Sequence, residues 1–294
     1  MPINNYEIDK FKMNLLSECP NGCKSTLIPS GLIVEEGEIN ECLICSQLVS
    51  SCSKSHYEIS NQKWNNEEGT WPSKKASKRL LKRRKKDINI LANLLHKNYS
   101  EIHILDVGCS NGSFVSIANS LGLQSEGVDP SEKAVANGLK KGLNLHVGFL
   151  DEVSFPDNSF DAITLYEVIE HIADPVDLLK ECARILHPEG ILLLGTGNVN
   201  SWTRSFRKNR WDFFDMEKHG GHINFFSPKS LAILAPRVGF KAIKVNTHSV
   251  KFYEKDELPF ILYRLIKIFT ELLNLPANLL NKGHQMEVYL QVKK

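Results

Sequence analysis

No stretch of this chain reaches the roughly 18 consecutive apolar residues that a membrane-spanning helix needs. The opening MPINNYEIDK lacks the apolar core and cleavage site of a secretory leader. Internal repeats are absent, as is low-complexity sequence apart from one lysine–arginine run. The cysteines lack an even count: there are seven, and four of them form two close pairs near the N-terminus. Such a set fits a reducing compartment and a metal site better than a disulfide framework. A cytoplasmic protein is expected, touching a membrane at most peripherally.

With 294 residues, 42% hydrophobic and 24% charged, the chain is ordinary for a folded protein, with room for one large domain and an appendage. The net charge of +2 conceals an asymmetry. Segment 74–86, KKASKRLLKRRKK, holds nine basic residues and no acid, which leaves 27 basic against 34 acidic residues elsewhere. Two readings of this run are open. It contacts nucleic acid or anionic lipid, or it is a linker helix packing through Leu80, Leu81, Ile88, Leu91 and Leu95.

From about residue 101 short apolar runs alternate with helical periodicity, the mark of a parallel sheet with crossover helices. Strands are expected at 102–108, 125–129, 145–149, 160–168, 190–198, 240–246 and 286–293, with helices over 112–121, 131–141, 173–186 and 228–238. The predicted organisation is a small unit over 1–60, a basic helical linker over 61–98, and an α/β domain over 99–294. That domain carries a long loop at 198–231 and an amphipathic helix at 258–281.

The first strand runs into a glycine turn, IHILDVGCSNGSF. A triphosphate loop wants a lysine after its last glycine, and none follows Gly112. A dinucleotide loop wants a middle glycine where this chain has Ser110. Asp106 leads the turn and would repel a phosphate, but it suits a cationic ligand such as S-adenosylmethionine, which carries a sulfonium and an ammonium group. Asp129 ends the next strand, 23 residues later, where a carboxylate accepts both hydroxyls of a ribose.

Taken in order, LDVGCSNGSF, EGVDPS, FPDNSFDAITLYEVIEHIADP and LHPEGILLLGTGN resemble the successive motifs of class I S-adenosylmethionine-dependent methyltransferases. The resemblance implies a doubly wound, mostly parallel seven-stranded sheet. It also implies a cofactor site in which Asp106, Gly108, Cys109, Ser110 and Gly112 line the methionine end, and Asp129 with Pro130 meets the ribose. Phe149 and Leu150 would flank the adenine. Many relatives have an aspartate in place of Phe149, and Asp151 stands in for it here. Tyr166, Glu167 and His171 would sit near the methyl group, His171 either as an acid–base group or packed against the turn.

Cys19, Cys23, Cys42 and Cys45 have the form C-x3-C…C-x2-C with an 18-residue gap. Two turns presenting two thiolates each hold structural zinc tetrahedrally, and a closed site stabilises its unit rather than doing chemistry. The catalytic domain is therefore expected to bind cofactor without it. A zinc ribbon ahead of this domain is similar to methyltransferases of bacterial sugar-nucleotide and surface-polysaccharide pathways, and also to zinc-ribbon ribosomal RNA methyltransferases.

The loop 198–231 offers Trp202, Arg204, Arg207, Arg210, Trp211, His219 and His222. Aromatics stack on a sugar face, arginines clamp a phosphate or carboxylate, and His219 or His222 deprotonates an acceptor hydroxyl. The alternative is a loop ordered by histidine hydrogen bonds. The helix 258–281 covers the site, makes a dimer contact or lies on a membrane surface. The expected activity is methylation of a hydroxyl on a sugar, glycan or related small metabolite, by a monomer or homodimer. Ribosomal RNA methylation and a non-catalytic cofactor-binding module are the alternatives.

Overall fold

The structure, a computed structural model, describes residues 15–66, 68–215 and 221–293. His219 lies outside the described residues.

The N-terminal unit is a hairpin of β1 (Leu27–Val34) and β2 (Gly37–Cys42), extended by β3 (Leu48–Val49). Its sheet is completed from far along the chain by β9 (Asn224–Phe225), with Leu48 opposite Phe225. Ile39 and Leu48 share a core with Trp211, Phe213, Phe214 and Phe225. The ribbon is thus welded to the loop 198–231, so its independence from the catalytic half, expected above, is not what the contacts show. A two-residue strand has no periodicity to read, which hides this pairing in the sequence.

Two helices follow. Helix α1 (Lys54–Asn65) precedes α2 (Lys74–Leu95), which opens on a Ser73 side chain accepting the Ala76 N–H. It closes on His96 in the left-handed region, whose N–H reaches the last carbonyls. Ile88 and Leu91 of α2 are buried in one layer of the sheet core, while most of its lysines and arginines face solvent.

The large sheet has the order β10-β11-β8-β7-β4-β5-β6. Its parallel part comprises β4 (His103–Val107), β5 (Gln124–Asp129), β6 (Leu145–Val147), β7 (Phe160–Tyr166) and β8 (Leu186–Gly197). Strand β11 (Gln285–Val292) runs antiparallel between β8 and β10 (Phe240–His248). Helices α3 (Ser113–Ser120), α4 (Glu132–Leu139) and α5 (Pro175–Ile185) make the crossovers. Strands covered on both faces read as continuous apolar runs, which is why ILLLG and DAITL were legible as strands. Strand β8 starts earlier than expected, at Leu186, through an irregular register between Phe160 and Ala162.

Strand β4 lies between β5 and β7, so the chain's direction of winding switches above its carboxyl end, where doubly wound sheets open a crevice. The loop 198–231 supplies α6 (Trp202–Arg207) and leads into α7 (Pro228–Leu234). The expected amphipathic segment forms α8 (Phe260–Leu272) and α9 (Asn274–Leu279). Only Thr270 of α8 is buried, and no α8 side chain lines the crevice. Among the described residues no helix is long and apolar enough to cross a membrane.

Candidate active site

A cavity of about 490 Å³ opens at the switch point, within the size range of small-ligand sites. Its floor is the turn after β4. Gly108 has φ +75°, and a Cβ there would run into the Val168 side chain. Ser110 also adopts a positive φ, and its N–H donates to Asp129 Oδ2 at 2.8 Å. Asp129 Oδ1 accepts the Ser131 N–H at 2.8 Å. Each oxygen keeps a lone pair for a ligand hydroxyl, and both sit in the cavity wall with Pro130. Gly148, Phe149 and Leu150 form the wall beyond.

Beneath the loop Asp106 is 4% exposed and accepts the Thr164 hydroxyl at 2.6 Å. Burial pushes its carboxyl up to about 7, against the Thr164 hydrogen bond and the Arg84 charge, which favour the anion. An anion held at such a cost is suited to a cationic ligand. Arg84 was not foreseen as a site residue. Its guanidinium lies 3.2 Å from the Tyr166 ring centroid and pairs with Asp87 at 3.3 Å. The signal was present in register: Arg84 stands four and seven residues before Ile88 and Leu91, on the same buried face of α2.

The other end of the cavity is built by the turn after β7. Tyr166 ends the strand, and Glu167 takes φ +55°, held by its N–H to the Gly195 carbonyl at 2.8 Å. A 3-10 turn, Ile169–His171, follows. Glu167 and His171 line the cavity. Glu170 is 1% exposed just behind them, and His222 is 2% exposed beside it. The His171 and His222 rings meet edge to face at 4.7 Å. Burial and the facing Glu167 carboxylate hold Glu170 well above the usual carboxylate range. Glu167 lines the cavity and is exposed, and burial of its carboxyl among protein groups raises it to about 7.

Several expected groups stand elsewhere. Cys109 faces inward against Val115, Val135 and Leu145 rather than the cavity. Gly112 caps α3 with φ +77° and acts through backbone shape. Asp151 is exposed and does not line the wall; Glu152 instead accepts the Phe149 N–H. Trp211, expected to stack on an acceptor, is 1% exposed in the core shared with the ribbon. Arg207, expected to clamp an anion, is spent on Glu257 at 2.8 Å and on the Arg210 carbonyl. Conversely, Tyr57, Asn61 and Asn65 of α1 reach the cavity, and the Tyr57 hydroxyl donates to the His171 carbonyl at 2.7 Å.

The four paired cysteines converge. Their sulfurs lie within 4.8 Å of one another, Cys19 and Cys45 at 3.5 Å. Zinc–sulfur bonds of about 2.3 Å would place tetrahedral ligands about 3.8 Å apart, so the set is of the right size and chemistry.

Known proteins share this architecture. A profile described as "Methyltransferase domain" matches residues 78–245. A ubiquinone biosynthesis O-methyltransferase of Bradyrhizobium diazoefficiens is 32% identical over 105 residues, which is 34% of this chain and 41% of that protein. One from Xanthomonas oryzae pv. oryzae is 34% identical over 102 residues, covering 32% and 43%. The match thus spans about two fifths of these curated relatives. A solved methyltransferase structure from Archaeoglobus fulgidus superposes with a TM-score of 0.52 at 17% identity, over 80% of this chain and 99% of that one. With the profile spanning more than half its length over the same strands, loop and cavity, the chain belongs to the class I S-adenosylmethionine-dependent methyltransferases.

Proposed function

We propose that the chain methylates a hydroxyl oxygen of a small organic acceptor, with zinc on Cys19, Cys23, Cys42 and Cys45 as structural support. The observation that carries this reading is one continuous cavity joining Ser110 and Asp129 at one end to Glu167 and His171 at the other. When bound, S-adenosylmethionine supplies an electrophilic methyl on sulfur. Asp129 takes the ribose hydroxyls, Asp106 faces the ammonium group, and Arg84 brings a positive charge to the methionine end. Tyr57 and the turn after β7 exclude water and hold the acceptor in line. The acceptor oxygen forms a bond to the methyl carbon as the carbon–sulfur bond breaks toward sulfur, and His171 takes the hydroxyl proton. Alignment and water exclusion account for most of the rate in such a displacement.

The relatives are named O-methyltransferases of ubiquinone biosynthesis, which favours an oxygen acceptor. The sugar or glycan acceptor expected from the loop 198–231 loses support, since Trp211 and Arg207 are committed to packing and pairing. The test supplies methyl-labelled cofactor with two acceptor panels, sugar nucleotides and hydroxylated ubiquinone precursors. Label in an ether linkage is the expected result. Label on carbon or nitrogen, or in ribosomal RNA, overturns the reading.

A further inference from the structure

Three metal-ligating side chains from two distant segments converge behind the acceptor end of the cavity. Carboxyl oxygens of Glu167 and Glu170 and a ring nitrogen of His222 all lie within 4.8 Å of one another. Glu170 is 1% exposed, and neither of its carboxyl oxygens makes a well-formed hydrogen bond; the polar side chains beside it are Thr196 and Glu167. Buried polar atoms are almost always satisfied, and an exception calls for a missing ion or water.

The orientation of His222 fits the same explanation. Its Nδ1 stands 3.0 Å from the Phe213 carbonyl oxygen. A carbonyl only accepts, so Nδ1 carries the hydrogen of the neutral ring and Nε2 carries the lone pair. Nε2 is the nitrogen turned toward Glu170, 4.0 Å from Oε1. Anchoring one imidazole nitrogen on a carbonyl while the other is aimed at a cation is how metal-binding histidines are oriented. The strained Glu167, with φ +55°, is pinned by the Gly195 carbonyl, and cost of this kind is retained where a site needs it.

We propose that Glu167, Glu170 and His222 form a divalent-cation site at the acceptor end of the cofactor cavity. Two carboxylates and one imidazole, without a thiolate, suit Mg²⁺, Mn²⁺ or Fe²⁺, a preference distinct from that of the four cysteines. Three protein ligands leave coordination positions open. Glu167 lines the cavity, so the open positions face an acceptor. A cation there binds the acceptor hydroxyl and lowers its pKa. That role rests on the O-methylation reading; the binding of the cation does not.

The experiment titrates Mn²⁺ into the full-length protein with its cysteine site loaded, following free Mn²⁺ by electron paramagnetic resonance. One Mn²⁺ per chain is expected, weakened at least about tenfold by Glu167→Gln and by Glu170→Gln. Melting curves check that each variant is folded; Glu167, at the cavity surface, keeps the test valid if Glu170→Gln unfolds. No Mn²⁺ bound by the wild type, or undiminished binding in folded Glu167→Gln, overturns the site. Mn²⁺ binding lost in the variants, with no hydroxyl acceptor methylated, upholds the site and overturns the O-methylation reading. Hydroxyl methylation undiminished after Mn²⁺ and Mg²⁺ are dialysed away overturns the cation's role in the reaction.

Discussion

The Arg84 guanidinium lies 3.2 Å from the centroid of the Tyr166 ring, with the Tyr166 hydroxyl donating to Asp87 at 3.0 Å. One arginine of the basic run therefore turns inward against Tyr166, which lines the cavity, and on the proposed reading it acts on the methionine end of the cofactor. Lys82, Arg83, Lys85 and Lys86 are exposed on α2. Substituting those four with glutamine should leave affinity for S-adenosylhomocysteine unchanged in calorimetry. Arg84→Gln should weaken it about tenfold or more, since a hydrogen bond to a charged group contributes about 1.5–3 kcal/mol. Equal affinities in both variants would remove Arg84 from the site.

On the proposed reading, Asp106 should make cofactor binding depend on pH. The charged groups facing it are Arg84 from α2 and Asp129 from β5, and the Thr164 hydroxyl on β7 hydrogen-bonds it. Its carboxyl titrates near 7 when folded and near 3.9 when unfolded. Between those values the folded state holds a proton that the unfolded state has lost, so stability of the ligand-free protein falls as pH rises from about 4 to about 7. The anion that pairs with the ligand's ammonium group forms only as pH passes 7. The rise in melting temperature caused by S-adenosylhomocysteine should thus be larger at pH 8 than at pH 5.5. Asp106→Asn should flatten that dependence, and a wild-type shift that is the same at both pH values refutes the assignment.

Asp129 has two duties that substitution can separate. It ties the Ser110 and Ser131 N–H groups together, at 2.8 Å each, and on the proposed reading it offers its remaining lone pairs to the ribose. Asp129→Asn keeps one acceptor oxygen and should weaken S-adenosylhomocysteine by about tenfold. Asp129→Ala loses both duties and should cost about a hundredfold, on the scale of one to two charge-assisted bonds. Adenine alone, which has no ribose, should bind both variants with the wild-type affinity if the loop stays ordered.

The strands and the glycine loop were legible because they are local. DVGCSNG fixes its own turn, and the apolar runs of β4, β7 and β8 announce a sheet covered on both faces. What was not legible depends on distant contacts. Nothing around Asn224–Phe225 says that it will pair with Leu48–Val49, and the charge of 74–86 masks the inward face of Arg84. Aromatic residues in the loop 198–231 read as acceptor contacts, because burial of Trp211 depends on a partner core some 170 residues away in the chain. Glu170 stood in plain view in EVIEH, but its burial beside His222 is a fact of packing.

The same long-range pairing bears on the proposed zinc. Cys42 ends β2, whose partner β3 is bound to β9, and β9 begins two residues after His222. Cys52 then packs on Ile223 and Tyr57, and the Tyr57 hydroxyl holds the His171 carbonyl in the cavity wall. A freely appended ribbon would leave cofactor affinity untouched when its metal is lost. The contacts here predict the opposite: on the proposed reading, releasing the four thiolates should loosen β3 and α1, and with them Tyr57, Asn61 and Asn65. Freshly reduced protein should contain one zinc per chain. Cys42→Ser should lose that zinc and bind S-adenosylhomocysteine about tenfold more weakly, the scale of one or two displaced neutral hydrogen bonds. Calorimetry on the zinc-free variant checks both halves. Unchanged affinity would mean that α1 holds its place over the cavity without the ribbon, and zinc found in Cys42→Ser at full stoichiometry would remove Cys42 from the metal site.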